Sequence, residues 1–188
     1  MNWKDIIKFS RFHRYIHIYH LEGLNNWLQS EKNLLIKESK NDKISGEVVN
    51  YRTTSELINH GFNSLLTDIA LQYYHVGSNV DWSEVAPMVY YQTKEEGVNK
   101  FHHHYFSSTI TATTYIDPMD KEHGGGLELF LHDTFRPIIY PEPDCIYFFP
   151  SWVLHKPLPH FIDTPRLCIN WGLDCLLRPI HKLTGDKW

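Results

Sequence analysis

A series of short strand-like runs in the second half of the chain constrains its fold more than any other feature. The densest run, residues 109–116, is rich in threonine, isoleucine and tyrosine, side chains that suit a pleated sheet surface. Turn signals separate the runs, among them Asp117-Pro118 and the three glycines at 124–126. Short strands at near-regular spacing predict a mainly β protein with an antiparallel sandwich or barrel. The predicted strands are 85–91, 109–116, 127–131, 145–149 and 166–173.

The first half of the chain has a different pattern. Apolar residues recur with helical spacing over residues 21–35 and again over 63–74. Residues 1–84 are therefore predicted to form a mostly helical elaboration in front of the sheet. Three histidines near the N-terminus have a near-helical spacing, which favours one face of an amphipathic helix over a second metal site; they are His13, His17 and His20.

Length and composition define the class of protein. A chain of 188 residues is about one ordinary domain, so we expect a single domain over 1–188, with the sheet core at 85–175 and a tail at 176–188. Its 42% hydrophobic and 21% charged residues are typical of globular proteins. The net charge of −4 without a Lys/Arg run argues against a nucleic-acid partner. The first residues contain no long apolar segment, so we expect no secretory leader. The sequence also has no run of 18 apolar residues and no CxxC pair, so we expect a reduced cytoplasmic protein without a membrane partner.

The segment His102-His103-His104 is a candidate metal motif. In a strand, residues two apart point to the same face, so His102 and His104 would present two imidazoles together while His103 points away. Neutral imidazole binds iron, zinc, copper or nickel. The alternatives are the other phase, with His103 beside Tyr105, and a polar edge strand that binds no metal.

A second candidate lies where the run at 145–149 ends. His155 follows a short apolar turn, and Arg166 opens the next predicted strand eleven residues later. Because a guanidinium can hold a carboxylate through two parallel hydrogen bonds, the two side chains on neighbouring strands could face one anion-binding cavity. Taken singly, they are equally compatible with a loop histidine and a surface arginine.

The order of these motifs resembles a known superfamily. His-x-His is followed by Thr-x-Thr-x-Tyr-Ile-Asp, then Gly-Gly-Gly-Leu-x-Leu-Phe, then Ile-Tyr-Phe-Phe-Pro-Ser-Trp-x-Leu-His, then Pro-Arg-Leu-Cys-Ile-Asn-Trp. This series is similar to the Fe(II)/2-oxoglutarate-dependent oxygenases, most of all to small phage and bacterial members and more distantly to prolyl hydroxylases. The resemblance covers residues 85–175. It implies a double-stranded β-helix (jelly-roll, cupin-like), Fe(II) as cofactor, 2-oxoglutarate as cosubstrate, and hydroxylation of a substrate with release of succinate and CO2.

The resemblance also assigns roles to individual residues. His102 and His155 fall at the family's two metal-binding histidines, and Arg166 falls at the basic residue that holds the distal carboxylate of 2-oxoglutarate. Tyr115 would add its hydroxyl to that carboxylate. Asn170 follows Arg166 by four residues in the same predicted strand, so the two side chains share a face. We therefore count Asn170 as a further contact with the cosubstrate. We expect two tryptophans to wall the substrate pocket, Trp152 and Trp171.

One position departs from the family pattern. The usual metal site has two histidines and one carboxylate, and His104 stands where that carboxylate is expected. Either His104 is a third imidazole ligand, which we favour, or Asp133 supplies the carboxylate, or the site is degenerate. Three neutral ligands would leave the metal one negative charge short and weaken its binding.

Two other classes of protein stay open at this point. A cupin-like metalloprotein without 2-oxoglutarate also uses His-x-His and a later histidine, but it has no need of Arg166. A non-enzymatic β-sandwich module would make all of these histidines packing or surface residues. The primary substrate and the oligomeric state are not encoded in any motif, and three histidines are expected to be solvated: His123, His160 and His181.

Overall fold

The computed structural model describes residues 7–13, 16–39, 49–52, 62–73, 80–92, 94, 100–105, 108–117, 120–131, 135–164 and 166–177. Within these ranges the chain forms two antiparallel sheets and two helices. The helices are α1 (Leu24–Ser39) and α2 (Phe62–Tyr73). The strands are β1 (Ile7–His13), β2 (Ile16–Leu21), β3 (Val49–Arg52), β4 (Val80–Gln92), β5 (Ile110–Tyr115), β6 (Leu127–Phe130), β7 (Ile138–Ile139), β8 (Cys145–Pro150), β9 (Leu154–Pro157) and β10 (Arg166–Leu177).

The large sheet has seven strands in the order β1-β2-β8-β5-β10-β4-β3, and the small sheet has three in the order β7-β6-β9. All neighbouring strands are antiparallel. Strands that are distant in sequence lie side by side, such as β10 between β4 and β5. This order places β10 inside the large sheet and β9 at an edge of the small sheet.

Alternation along the strands of the large sheet produces two separate cores. In β10, Leu167, Ile169 and Trp171 face one side and pack with leucines of α1 and α2. Cys168 faces the other side and packs with Leu127 and Leu129 of the small sheet. The helices therefore cover the outer face of the large sheet, while its inner face and the small sheet enclose an interior.

Helix α1 is fixed to the sheet at both ends of its first turn. Leu24 and Leu28, one helical turn apart, are completely buried, and burial of each leucine contributes about 1.5–3 kcal/mol. The amide of Asn25 donates to Asp144 Oδ1 at 2.6 Å, a charge-assisted bond to one of the amides that a helix leaves unpaired. The helix thus docks on the turn that precedes β8.

The two predicted helices are confirmed, and the described part of the N-terminal segment also contains strands that the sequence did not predict. It supplies β1 and β2 to one edge of the large sheet and β3 to the other. The histidines at 13, 17 and 20 lie in β1 and β2, not on a helix. The residues around these histidines alternate as in a strand: Ile16 and Ile18 face the interior, whereas Tyr19 and Leu21 face the helices. The near-helical spacing of the histidines was therefore misleading.

The five predicted strands of the second half are present. β4 is longer than predicted at both ends, and β10 is longer at its C-terminal end. Two short strands were missed, β7 and β9. The predicted tail lies outside the described residues except for the last two residues of β10. No helix in the described part of the chain is long and apolar enough to cross a membrane.

Candidate metal centre

Three histidines that are distant in sequence form a compact cluster. One ligand atom from each of His102, His104 and His155 lies within 4.8 Å of the others. The Nε2 atoms of His104 and His155 are 3.2 Å apart, close to the roughly 3 Å that separates neighbouring donors on an ion bound at about 2.1 Å. We call these three residues the His cluster. Its donor atoms and spacing fit a divalent transition metal.

Backbone pairing with β9 places the His-x-His segment. His102 and His155 form an antiparallel bridge in which the amide of each donates to the carbonyl of the other, at 3.0 and 2.9 Å. Two residues on, the amide of His104 donates to the carbonyl of Ser151 at 2.9 Å. The segment thus runs beside β9 as a further, irregular edge of the small sheet. His103 is exposed, so the phase that pairs His102 with His104 is the one observed.

The ring nitrogens of the cluster are suited to ligation. His155 Nδ1 donates to the carbonyl oxygen of Val153 at 2.9 Å, which leaves a lone pair on Nε2. His102 Nδ1 is buried without a hydrogen-bond partner among the described residues. A buried nitrogen without a partner is costly, and a metal ligand bond would satisfy such an atom.

Burial keeps the imidazoles neutral. Burial, with a smaller contribution from the neighbouring imidazoles, lowers the pKa of His104 to about 4 and that of His155 to about 3. Burial also lowers the pKa of His102. All three rings are therefore neutral at pH 7, the form in which imidazole binds metals.

A small hydroxyl network supports the chain on either side of His104. The Ser151 hydroxyl lies 2.8 Å from that of Ser108 and 2.7 Å from that of Thr111, and all three are buried. The amide of Ser108 in turn donates to the carbonyl of His104 at 3.0 Å. Backbone and side-chain bonds therefore clamp the segment from two sides.

The His cluster contains no carboxylate from the residues that the structure describes. The alternative ligand Asp133 lies outside the described residues, as does His132 beside it. The donor set of the described residues is therefore three neutral imidazoles, and it adds no charge to offset that of a metal ion.

A buried arginine stands elsewhere in the same interior. Arg166, the first residue of β10, is 1% exposed. Its Nη1 donates to the carbonyl of Gly125 and its Nη2 donates to Oε1 of Gln92. It forms no ion pair with any residue in the described ranges, and its Nε has no partner there. An unpaired buried charge is unfavourable, so this guanidinium is suited to an anionic ligand.

The three glycines shape the chain around that arginine. Gly124 and Gly125 have positive φ angles, 77° and 70°, which side chains with a Cβ rarely adopt. A Cβ on Gly124 would lie 2.8 Å from the carbonyl oxygen of Pro159, and one on Gly126 would lie 2.4 Å from the side chain of Ile138. The segment is therefore a close-packed support that presents the Gly125 carbonyl, rather than only a flexible turn.

Tyr115 and Asn170 share the interior face with Arg166. The guanidinium carbon of Arg166 lies 5.3 Å from the centre of the Tyr115 ring. Burial raises the pKa of Tyr115, and its hydroxyl hydrogen-bonds Thr113. Asn170 lies opposite Thr113 in register and hydrogen-bonds Tyr90. Both residues thus line the interior as polar groups, and their role in holding a cosubstrate stays a prediction.

The His cluster borders this same interior. The ring of His155 lies 5.1 Å from that of Phe149, which packs with Tyr115 in the inner core. Phe149 is in turn opposite Thr111 in register. The His cluster and Arg166 therefore both pack against the inner core of the protein.

The two predicted pocket tryptophans lie in different places. Trp171 is 3% exposed and packs in the core under the helices, so its assignment to the pocket is wrong. It is an odd number of residues from Arg166 and faces away from the interior. Trp152 is 55% exposed and follows Ser151, whose carbonyl holds His104. It stays a candidate for the rim of the site.

The loop histidines also differ from one another. His123 is exposed and contacts Asp120 at 2.8 Å, as expected of a surface residue. His160 is fully buried, so its prediction as solvated is wrong; its Nε2 donates to the carbonyl of Gln92 at 3.2 Å. His181 lies outside the described residues.

Gln92 is the residue at this site that the sequence analysis missed. It pairs with Arg166 across β4 and β10, 74 positions apart in the chain. No local pattern marks it, because its relation to Arg166 depends on the register between two strands.

Comparison with other proteins supports the fold. No protein-family model matches the chain, and no curated protein matches it in sequence. Solved structures do match. A prolyl-4-hydroxylase from Pseudomonas putida is 16% identical over 88% of this chain and 93% of its own, with a TM-score of 0.67.

Two further structures extend this comparison. The viral collagen prolyl hydroxylase of Paramecium bursaria Chlorella virus-1, in complex with 2-oxoglutarate, is 13% identical over 85% of this chain and 95% of its own, with a TM-score of 0.60. The non-heme α-ketoglutarate-dependent carbocyclase SnoK of nogalamycin biosynthesis is 11% identical over 93% and 87%, with a TM-score of 0.67. The chain thus has the double-stranded β-helix fold of the 2-oxoglutarate/Fe(II) oxygenases, as predicted.

Proposed function

We propose that this protein is a non-haem Fe(II)- and 2-oxoglutarate-dependent dioxygenase. The observation that carries the proposal is that two features pack against the same inner core: a cluster of three neutral imidazoles, and a buried guanidinium that forms no ion pair among the described residues. The first suits a transition metal and the second suits a carboxylate. A structural histidine cluster would leave the unpaired arginine unexplained.

His102, His104 and His155 would hold the iron. When bound, Fe(II) together with 2-oxoglutarate supplies the oxidative decarboxylation to succinate and CO2 and the oxidation of a C–H bond. The protein's own contribution is to orient the ligand and to exclude water from the interior. Arg166 would hold the distal carboxylate of 2-oxoglutarate, with Tyr115 and Asn170 as further polar contacts.

Hydroxylation of an unidentified substrate is the proposed outcome. The matching structures include two prolyl hydroxylases and a carbocyclase, so the fold accommodates more than one reaction. Trp152 is the candidate contact with the substrate, since it is exposed and follows Ser151, whose carbonyl accepts from the amide of His104.

The test is an anaerobic titration with Fe(II) and 2-oxoglutarate, followed by the visible metal-to-ligand charge-transfer band. The wild type should develop the band, His155→Ala should bind no iron, and Arg166→Ala should require far more 2-oxoglutarate. His123→Ala, at an exposed histidine outside the cluster, is the matched control and should titrate like the wild type.

The remaining outcomes separate the other classes. Iron binding without a band, with Arg166→Ala unchanged, would support a cupin-like metalloprotein. Absence of iron binding would support a binding module. Asp133→Asn addresses the ligand set: we expect unchanged iron affinity if His104 is the third ligand and loss of affinity if Asp133 is.

A further inference from the structure

The guanidinium of Arg166 is held by two neutral oxygen atoms, one on each terminal nitrogen. Gly125 provides a backbone carbonyl and Gln92 provides a side-chain amide oxygen. An arginine side chain has five N–H donors. Contacts with the described residues use two of them, so three remain for a ligand within that part of the chain, including the buried Nε.

Gln92 is itself held firmly in place. It is buried at the end of β4 and lies directly opposite Arg166 in the sheet. Its backbone carbonyl accepts from His160 Nε2 at 3.2 Å, and His160 is fully buried. The backbone of Gln92 is therefore held by sheet pairing and by the buried His160 ring, and its buried side chain extends from this fixed position to Arg166.

The neutrality of Gln92 matters for the charge of the site. A glutamate has nearly the same shape as glutamine but would form an ion pair with the guanidinium. That pair would neutralise Arg166 before any ligand arrives. A glutamine can orient the same fork of donors and leave the positive charge uncompensated.

We infer that Gln92 is a positioning residue that aligns Arg166 and reserves its charge for the distal carboxylate of the cosubstrate. The consequence is selectivity for 2-oxo acids with an anionic tail over those with a neutral tail. This inference rests on the proposed function, because it concerns the cosubstrate of the same site.

The experiment compares two ligands of equal length in three variants. The ligands are 2-oxoglutarate and 5-methyl-2-oxohexanoate, in which an uncharged isopropyl group of similar shape replaces the distal carboxylate. Each is titrated anaerobically into the Fe(II)-loaded protein, with the charge-transfer band and calorimetry as readouts of binding. The variants are Gln92→Glu, Gln92→Met and Ser64→Glu, which adds the same charge at an exposed position of α2 on the other side of the large sheet.

Gln92→Glu should lower the affinity for 2-oxoglutarate at least about tenfold and leave the affinity for 5-methyl-2-oxohexanoate unchanged or improved, so that the preference for the anionic tail is lost. Gln92→Met removes the oxygen that accepts from Arg166 but leaves the charge of the guanidinium uncompensated. It should lower the affinity for both ligands by about threefold to tenfold and retain the preference for the anionic tail. Ser64→Glu should match the wild type. Iron affinity should be unaffected in all three, because none of them alters the His cluster.

Gln92→Glu with wild-type affinity and preference would overturn the inference and leave the proposed function intact. A wild type that binds iron but not 2-oxoglutarate would instead refute the proposed function. If Gln92→Glu does not fold, Gln92→Met decides the question: unchanged affinity for 2-oxoglutarate would exclude a positioning role.

Discussion

Removal of one buried hydroxyl should weaken both the fold and the metal centre. Ser151 is 0% exposed, and its side chain contacts the hydroxyls of Ser108 at 2.8 Å and of Thr111 at 2.7 Å. The backbone carbonyl of the same residue accepts a hydrogen bond from the amide of His104. Ser151→Ala removes the central member of the hydroxyl network and keeps the backbone contact.

The magnitude follows from the number of contacts. Each hydrogen bond of this kind contributes about 0.5–1.5 kcal/mol net, and the two hydroxyls left without this partner are both buried. We therefore expect a loss of about 2 kcal/mol in the free energy of unfolding. For a chain of this length that corresponds to a fall of about 4–8 °C in Tm. The loosened support of His104 should also lower the affinity for a divalent metal by about threefold to tenfold.

Urea unfolding of the metal-free protein and a metal titration measure the two effects separately. Ser30→Ala is the matched control, since Ser30 is exposed on α1 and makes one local bond, to the carbonyl of Trp27; it should change stability by less than about 0.5 kcal/mol. Thr111→Val combined with Ser151→Ala should show a coupling of about 1 kcal/mol. A Ser151→Ala variant as stable as Ser30→Ala would refute the reasoning.

Three further outcomes are expected. Gly124→Ala should cost at least about 1 kcal/mol more than Gly23→Ala, because both positions have positive φ but only Gly124 has a backbone oxygen in the way of a Cβ; equal Tm values would contradict this. The metal-free protein should lose stability as the pH falls below about 6.5. Burial lowers the pKa of His104 and His155 in the folded state, whereas the same imidazoles in the unfolded state take up protons at their ordinary pKa. The free energy of unfolding should therefore fall by up to about 1.4 kcal/mol per pH unit for each of these histidines. Urea unfolding across this range would show a flat profile if burial were unimportant, and His155→Gln should reduce the slope. His104→Asp should raise the Fe(II) affinity about tenfold by supplying the missing negative charge; a lower affinity in the titration would indicate that another carboxylate already completes the site.

The strands of the second half could be predicted because their composition agrees with their environment. β5 is buried at every position, and its β-branched residues favour the sheet wherever it is placed. β9 was missed because its four residues, Leu154–Pro157, have no strand signal of their own. That strand exists because its backbone pairs with β6 and with His102.

The candidate site was predictable to the extent that its residues recur in a known order. The spacing of His102 and His104 was sufficient to predict that they share a face, and their pairing with His155 is a product of the bridge to β9. Trp171 was misplaced because a tryptophan near Arg166 in sequence is on the opposite face of the strand. Gln92 could not be found, since only the register of β4 against β10 brings it to the guanidinium.

The charges of the interior select a particular kind of ligand. Three neutral imidazoles leave a divalent metal ion with its full charge, and Arg166 has no counter-ion among the described residues. A ligand with a carboxylate at each end would supply one negative charge to each of these two places. A monocarboxylate would leave either the metal or the arginine uncompensated in a space of low polarity, where unpaired charge is costly. A dicarboxylate balances charge at both places at once, which is why the proposed 2-oxoglutarate matches the described charges better than a monocarboxylate does.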